Sequence, residues 1–106
     1  MKWVITYYSD KVENEILGLP PKLLARYLRM TDLMLKNGPD LSFPHTRSMK
    51  EGLFEMRLKA EEGIARVFYC TLINQTIVVL HSFVKKTQKT PKKELKVARA
   101  RLKEVK

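Results

Sequence analysis

The 106-residue sequence has one cysteine, two histidines, one tryptophan and four glycines. A lone cysteine, Cys70, excludes an intramolecular disulfide and reads as a small buried apolar residue in a reducing compartment. No Cys/His cluster has the spacing of a zinc site. No apolar run approaches the roughly 20 residues needed to span a bilayer. The start, MKWVITYYSD, lacks the sustained apolar segment and small-residue cleavage site of a signal peptide. A cytoplasmic protein with no membrane partner is expected. A chain of this length is most simply one domain, 1–106, with a single hydrophobic core.

Negative charge is also scarce. Against 21 Lys and Arg stand 11 Asp and Glu, a formal net charge of +10. From Lys85 to Lys106 there are ten basic and two acidic residues, whereas residues 1–84 carry a net charge of only +2. Such a balance favours a polyanionic partner, because each cation set on a phosphate releases condensed counterions. Charge alone leaves a solvated tail as an equal alternative.

The patterning predicts α+β architecture. WVITYY, residues 3–8, is a β-branched and aromatic strand. Ser9 or Asp10 caps a short helix that Gly18, Pro20 and Pro21 end. From Pro21 a long helix presents Leu23, Leu24, Tyr27, Leu28, Thr31, Met34 and Leu35 on one face, until Asn37-Gly38-Pro39 stops it. An irregular connection follows to about Glu51, carrying His45, Arg47 and Lys50. The period then becomes two: LFEMRLK, ARVFYCTL and TIVVLHSFV read as three antiparallel strands joined by short turns. Thr90 and Pro91 start a last helix, with Leu95, Ala98, Leu102 and Val105 on one stripe and basic residues on another. The expectation is a small antiparallel sheet with two N-terminal helices packed on one face, a basic C-terminal helix, and the other face free for work.

Turn spacing sets a register. Placing Lys59 opposite Ile64 sets Arg57 against Arg66 and Glu55 against Phe68. Pairing Ile73 with Thr76 then sets Phe68 against His81, Arg66 against Phe83 and Ile64 against Lys85. Arg57, Lys59, Arg66, His81 and Lys85 converge on one side, interleaved with Phe68 and Phe83. Opposed arginines repel, and cross-strand pairs matter by roughly 0.2–1 kcal/mol, with Glu55 relieving only part. A phosphate between the two arginines would convert repulsion into charge-assisted hydrogen bonds. The two phenylalanines could stack on unpaired bases. A one-residue slip would scatter the whole set.

GPDLSFPHTRSMKEGLFEMR, ARVFYC and IVVLHSFVKKTQKTPKKELKVARARLKE resemble the HigB-type toxins of the RelE/ParE superfamily, specifically its phage-derived Gp49-like branch. The resemblance implies a RelE-like fold and the toxin of a type II toxin–antitoxin pair, one that enters the ribosomal decoding site and cuts messenger RNA without metal or other cofactor. It implies a HigA-type helix-turn-helix antitoxin as partner. By similarity, Arg57 and Lys59 take the basic positions after Leu-Phe-Glu-Met, Arg66 the arginine of Arg-Val-Phe-Tyr, Lys85 and Lys86 the basic pair after the last strand, and Lys50 the basic residue before the meander. The tyrosine that well-known relatives place near the scissile phosphate has no counterpart after Tyr69, so His81 stands as a candidate for proton transfer rather than a match.

The chemistry is consistent with those positions. RNA brings its own nucleophile, the 2′-hydroxyl; a cleaving protein adds in-line geometry, cations for the phosphorane and a proton for the leaving oxygen. Arg57, Lys59, Arg66, His81 and Lys85 are the expected catalytic group. Lys50, Phe68, Phe83, Lys86, Lys89, Lys92, Lys93, Lys96, Arg99 and Lys103 are the expected contacts to RNA or ribosome. A non-catalytic basic binding module and a ParE-like gyrase inhibitor remain open as alternatives.

Overall fold

The computed structural model describes residues 2–85 and 91–106. The β-branched start forms β1, Val4–Tyr7. Ser9 then turns the chain, its side chain accepting from Val12 N at 3.2 Å, and caps α1, Asp10–Leu17. The second helix, α2, spans Pro21–Asn37. Its N-terminus has no side-chain cap of its own. The amides of Lys22 and Leu23 instead donate to Glu62 Oε1, at 2.8 and 3.1 Å, from a distant turn. Gly38, at φ +100°, ends the helix. The buried stripe of α2 is Leu23, Tyr27, Met30, Thr31 and Met34, while Leu28 and Leu35 point outward. Their expected place on the core face is thus corrected: each lies one residue, about 100°, round the helix from a buried position.

A short strand follows, β2 (Thr46–Ser48), then β3 (Phe54–Ala60), β4 (Gly63–Leu72), β5 (Thr76–Lys85) and α3 (Lys92–Val105). The five strands make one sheet in the order β1-β5-β4-β3-β2. All neighbours are antiparallel except β1 and β5, which run parallel. The sheet is therefore mixed rather than purely antiparallel, because α1 and α2 carry the chain from β1 across to the far edge before the meander returns it. The connection read as irregular contains β2, which pairs Thr46, Arg47 and Ser48 with Met56, Glu55 and Phe54.

Register at the β3–β4 hairpin is as expected, with Arg57 facing Arg66 and Glu55 facing Phe68. At the β4–β5 turn it differs: Leu72, not Ile73, pairs with Thr76, across a three-residue turn in which Asn74 and Gln75 take left-handed backbone. A bulge compensates. Phe68 pairs with His81 and Tyr69 with Val79, so Leu80 is the extra residue. Beyond it the pairs Phe68–His81, Arg66–Phe83 and Ile64–Lys85 stand as expected.

Alternation sorts the sheet into two cores. Met56, Leu58, Val67, Tyr69, Ile77 and Val79 pack beneath α1 and α2. Leu53, Phe68, Cys70, Val78 and Leu80 pack on the other side with Ala98 and Leu102 of α3. The second face is not free, as the sequence suggested; α3 lies over much of it. Its seam is narrow, with Ala98 and Leu102 the buried positions of the helix. Burying one leucine is worth roughly 1.5–3 kcal/mol, so polar ties share the task. Arg99 Nη2 donates to Met49 O at 2.6 Å and Arg101 Nη1 to Leu80 O at 2.8 Å. Among the described residues no helix is long and apolar enough to cross a membrane.

Candidate functional site

Past the end of α3's seam, the same face of the sheet turns from apolar to charged. Glu55, on β3, has Arg47 directly opposite on β2. Two residues along β3, Arg57 faces Arg66 of β4, and Lys85 closes the row on β5 opposite Ile64. Glu55 is fully buried, a position a carboxylate holds only when paired. Its Oε1 lies 3.3 Å from Arg47 Nη2 and 3.7 Å from Arg66 Nε. Arg66 Nη1 also donates to its neighbour's carbonyl, Ala65 O, at 3.2 Å.

Arg66 is 3% exposed and Lys85 6%. Burial holds the Arg66 guanidinium below its ordinary pKa; Glu55 opposes that shift, and the positive charges of Arg57 and Arg47 add to it. Burial also lowers the Lys85 ammonium, reinforced by Arg66, opposed by Glu55, and lowered further by Arg57 and Arg47. Arg47 and Arg66 thus pair with one carboxylate whose charge Lys85 also feels, while Arg57 faces Arg66 and lies over the Phe43 ring. An anion bound beside these side chains would raise both depressed pKa values. The expected row of cations exists, but two members lie inside the protein rather than on an open face. Arg47 was missed as a member because β2, only three residues long, sits in a Pro-bearing segment with no period to read.

The remaining expected residues divide. Lys59 is exposed on the same face of β3, two residues beyond Arg57. Phe68 is fully buried in the core under α3, so its expected role as an open stacking surface is corrected. Phe83 is half-buried and stacks on Phe68 at 6.0 Å and on the His81 ring at 6.1 Å. His81 is tied into the α3 interface: Nε2 lies 2.7 Å from Glu94 Oε1, and Nδ1 lies 3.5 Å from Arg101 Nη1. With both ring nitrogens engaged by α3, the imidazole helps to secure the helix. Arg99 is also a tie, reaching Met49 O, Lys50 O and Glu51. Lys50, Lys92, Lys93, Lys96 and Lys103 are exposed. Lys86 and Lys89 lie outside the described residues.

A cleft of about 1020 Å³ opens beside the charged centre. The α2 helix contributes Arg26, Arg29 and Met30 to its wall, and the sheet contributes Arg57, Lys59 and Arg66. It forms where β2 stops short and leaves the outer edge of β3 uncovered from Leu58 onward. The 39–47 segment bounds it, braced by Tyr69 Oη to Pro39 O at 2.5 Å, Leu41 N to Thr46 Oγ1 at 2.9 Å and Arg57 N to His45 O at 2.9 Å. On that segment Phe43 is 68% exposed, with the Arg57 guanidinium 5.3 Å from its ring centroid.

A family model described as phage-derived protein Gp49-like matches residues 14–103, a span that takes in every charged residue of this centre. No curated protein matches the chain.

Proposed function

Because the chain belongs to the phage-derived Gp49-like family, within the RelE/ParE toxin-like superfamily, we propose that it is a toxin that cuts messenger RNA on the ribosome, of the HigB type. Membership itself supports the toxin of a toxin–antitoxin pair, with an antitoxin as partner. The observation that supports the finer reading is the facing pair Arg57 and Arg66 beside a cleft, with Arg66 and Arg47 paired to one buried carboxylate and Lys85 within reach of its charge.

In the proposed reaction the 2′-oxygen of the nucleotide 5′ to the cut attacks the adjacent phosphorus. The new O2′–P bond forms as the P–O5′ bond breaks, leaving a 2′,3′-cyclic phosphate and a free 5′-hydroxyl. Arg57 and Arg66 bind the non-bridging oxygens, whose charge grows in the phosphorane. Arg66 arrives preoriented, since Glu55 and the Ala65 carbonyl hold its guanidinium before any substrate enters. Lys85 protonates the departing O5′: burial, reinforced by Arg66, makes its ammonium more acidic than an ordinary lysine and so a better donor near neutral pH. The 2′-hydroxyl proton passes to water. The ribosome supplies the in-line placement.

The partner proposed is a HigA-type helix-turn-helix antitoxin that covers or displaces α3, whose outer face exposes Lys92, Lys93, Lys96 and Lys103. The proposed site of action is the cytoplasm, where the message is translated. The test is cleavage of one message by purified protein, free and on programmed ribosomes. Cuts confined to the ribosome-bound message support the reading; equal rates on naked RNA refute ribosome dependence, and no cuts on either refute the nuclease.

A further inference from the structure

The sequence pointed to Phe68 and Phe83 as the aromatics that meet bases, but Phe68 is sealed in the core and Phe83 is packed against it. The aromatic ring that does face solvent beside the cations is Phe43. A single exposed phenylalanine is ordinary on a protein surface. This one differs in how it is held. Its segment is pinned at both ends, to the sheet through Arg57 N and to Tyr69 Oη, and crossed internally by Asp40 and Thr46. One face of the ring carries the Arg57 guanidinium, which belongs to the same pair that faces Arg66. The next two residues, Pro44 and His45, line the cleft.

The far wall of that cleft is equally specific. Arg26 and Arg29, three residues apart on α2, lie on one helix face, exposed, and both border the cleft. The carboxylate among its lining residues, Glu61, is paired with Lys22 at 2.6 Å. It therefore leaves the positive potential of the two arginines and Lys59 largely in place.

We propose that the cleft is a track for single-stranded RNA, with Phe43 stacking on a base next to the bound phosphate and Arg26 and Arg29 holding phosphates further along the strand. This rests on the RNA reading above but assigns residues outside the cationic centre. A duplex, whose bases are already stacked, offers Phe43 no face; a single strand does. The track thereby selects unpaired RNA, and Arg57 links its two parts, touching the aromatic platform on one side and facing Arg66 on the other.

The experiment is fluorescence anisotropy with a labelled six-nucleotide 2′-O-methyl RNA, which lacks the nucleophile and cannot be cut. Phe43→Ala should weaken binding by about 5- to 150-fold, and Phe43→Trp should restore it, with the new indole quenched on binding. Arg26→Gln with Arg29→Gln should flatten the plot of log K against log salt by about 1.4, two phosphate contacts on a single strand. A hexaglutamate peptide should show no dependence on residue 43. Phe43 is largely exposed, so the variants should keep the parent melting temperature, which is checked alongside. Unchanged RNA affinity in Phe43→Ala, an equal loss for hexaglutamate, or no RNA binding at millimolar protein would each overturn the track. Cleavage of ribosome-bound message is scored separately. Cutting without a Phe43 effect on the oligonucleotide sinks the track and spares the nuclease; the reverse result does the opposite.

Discussion

Glu55→Gln removes the carboxylate at the hub of the cationic centre while keeping its size. The two ion pairs it breaks are unequal. Arg47 has a side chain 47% exposed and loses little, as exposed pairs contribute about 0–1 kcal/mol. Arg66 is 4% exposed at its side chain, faces Arg57 across the strands, and would be left as an uncompensated buried charge. Removing one partner of a buried pair costs about 3–5 kcal/mol. For a domain near 100 residues that lowers the melting temperature by on the order of 10–20 °C. The anion site supplies a second readout. With the carboxylate charge gone, sulfate can bind beside the unneutralised guanidinium groups, and an anion at 100 times its dissociation constant restores about 2.7 kcal/mol. Thermal melts followed by circular dichroism in chloride and in sulfate should therefore show a large loss in chloride and a recovery in sulfate that exceeds any gain by the parent. Adding Arg66→Met should also recover stability, because the orphaned charge is then gone. A Glu55→Gln melting temperature within about 2 °C of the parent, or equal sulfate responses in both proteins, would refute the hub.

Lys85→Arg keeps the charge but cannot give up a proton, so cleavage should fall by about 100-fold or more while the affinity for sulfate, measured by thermal shift, stays close to the parent's. The lowered Lys85 pKa also has a stability consequence: between the depressed value and the ordinary 10.5 the unfolded chain binds more protons than the folded one, so stability climbs with pH through that interval. Lys85→Met should flatten that alkaline climb in pH-dependent melts; an unchanged slope would show that other groups carry it. Cys70 is fully buried against α3, and burial raises its thiol pKa, so a disulfide reagent should leave it nearly untouched. Leu102→Ala, expected to cost about 2–5 kcal/mol, should speed its modification by loosening the helix, and equal rates in the two proteins would mean that α3 does not guard the second core.

The arginine pair was legible because strand alternation and a short hairpin between Lys59 and Ile64 leave one register that buries Met56, Leu58 and Val67. The third strand came out right for a less secure reason. The β4–β5 turn is one residue longer than expected, and Leu80 bulges to restore the phase before Phe83 and Lys85. Residue types alone reveal neither a bulge nor the turn that requires it. The apolar stripe of α3 was visible, but not the side of the sheet it would choose; that choice buried Phe68 and occupied His81 with Glu94. β2 was hidden by its length, and with it Arg47. The cap that Glu62 gives α2 spans 40 residues and follows from no local signal. Phe43 reads as an ordinary loop residue until Arg57 is seen against its ring.

Induction of the protein in growing cells, followed by mapping of new RNA 5′ ends against reading frames beside an Arg66→Ala control, tests the proposed scission centre most directly. An RNA-cutting centre at Arg57, Arg66 and Lys85 predicts fresh 5′-hydroxyl ends in phase with codons, lost by on the order of 100- to 1000-fold in the control. Ends out of phase with translation, ends that persist in Arg66→Ala, or double-strand DNA breaks with intact messages would contradict it.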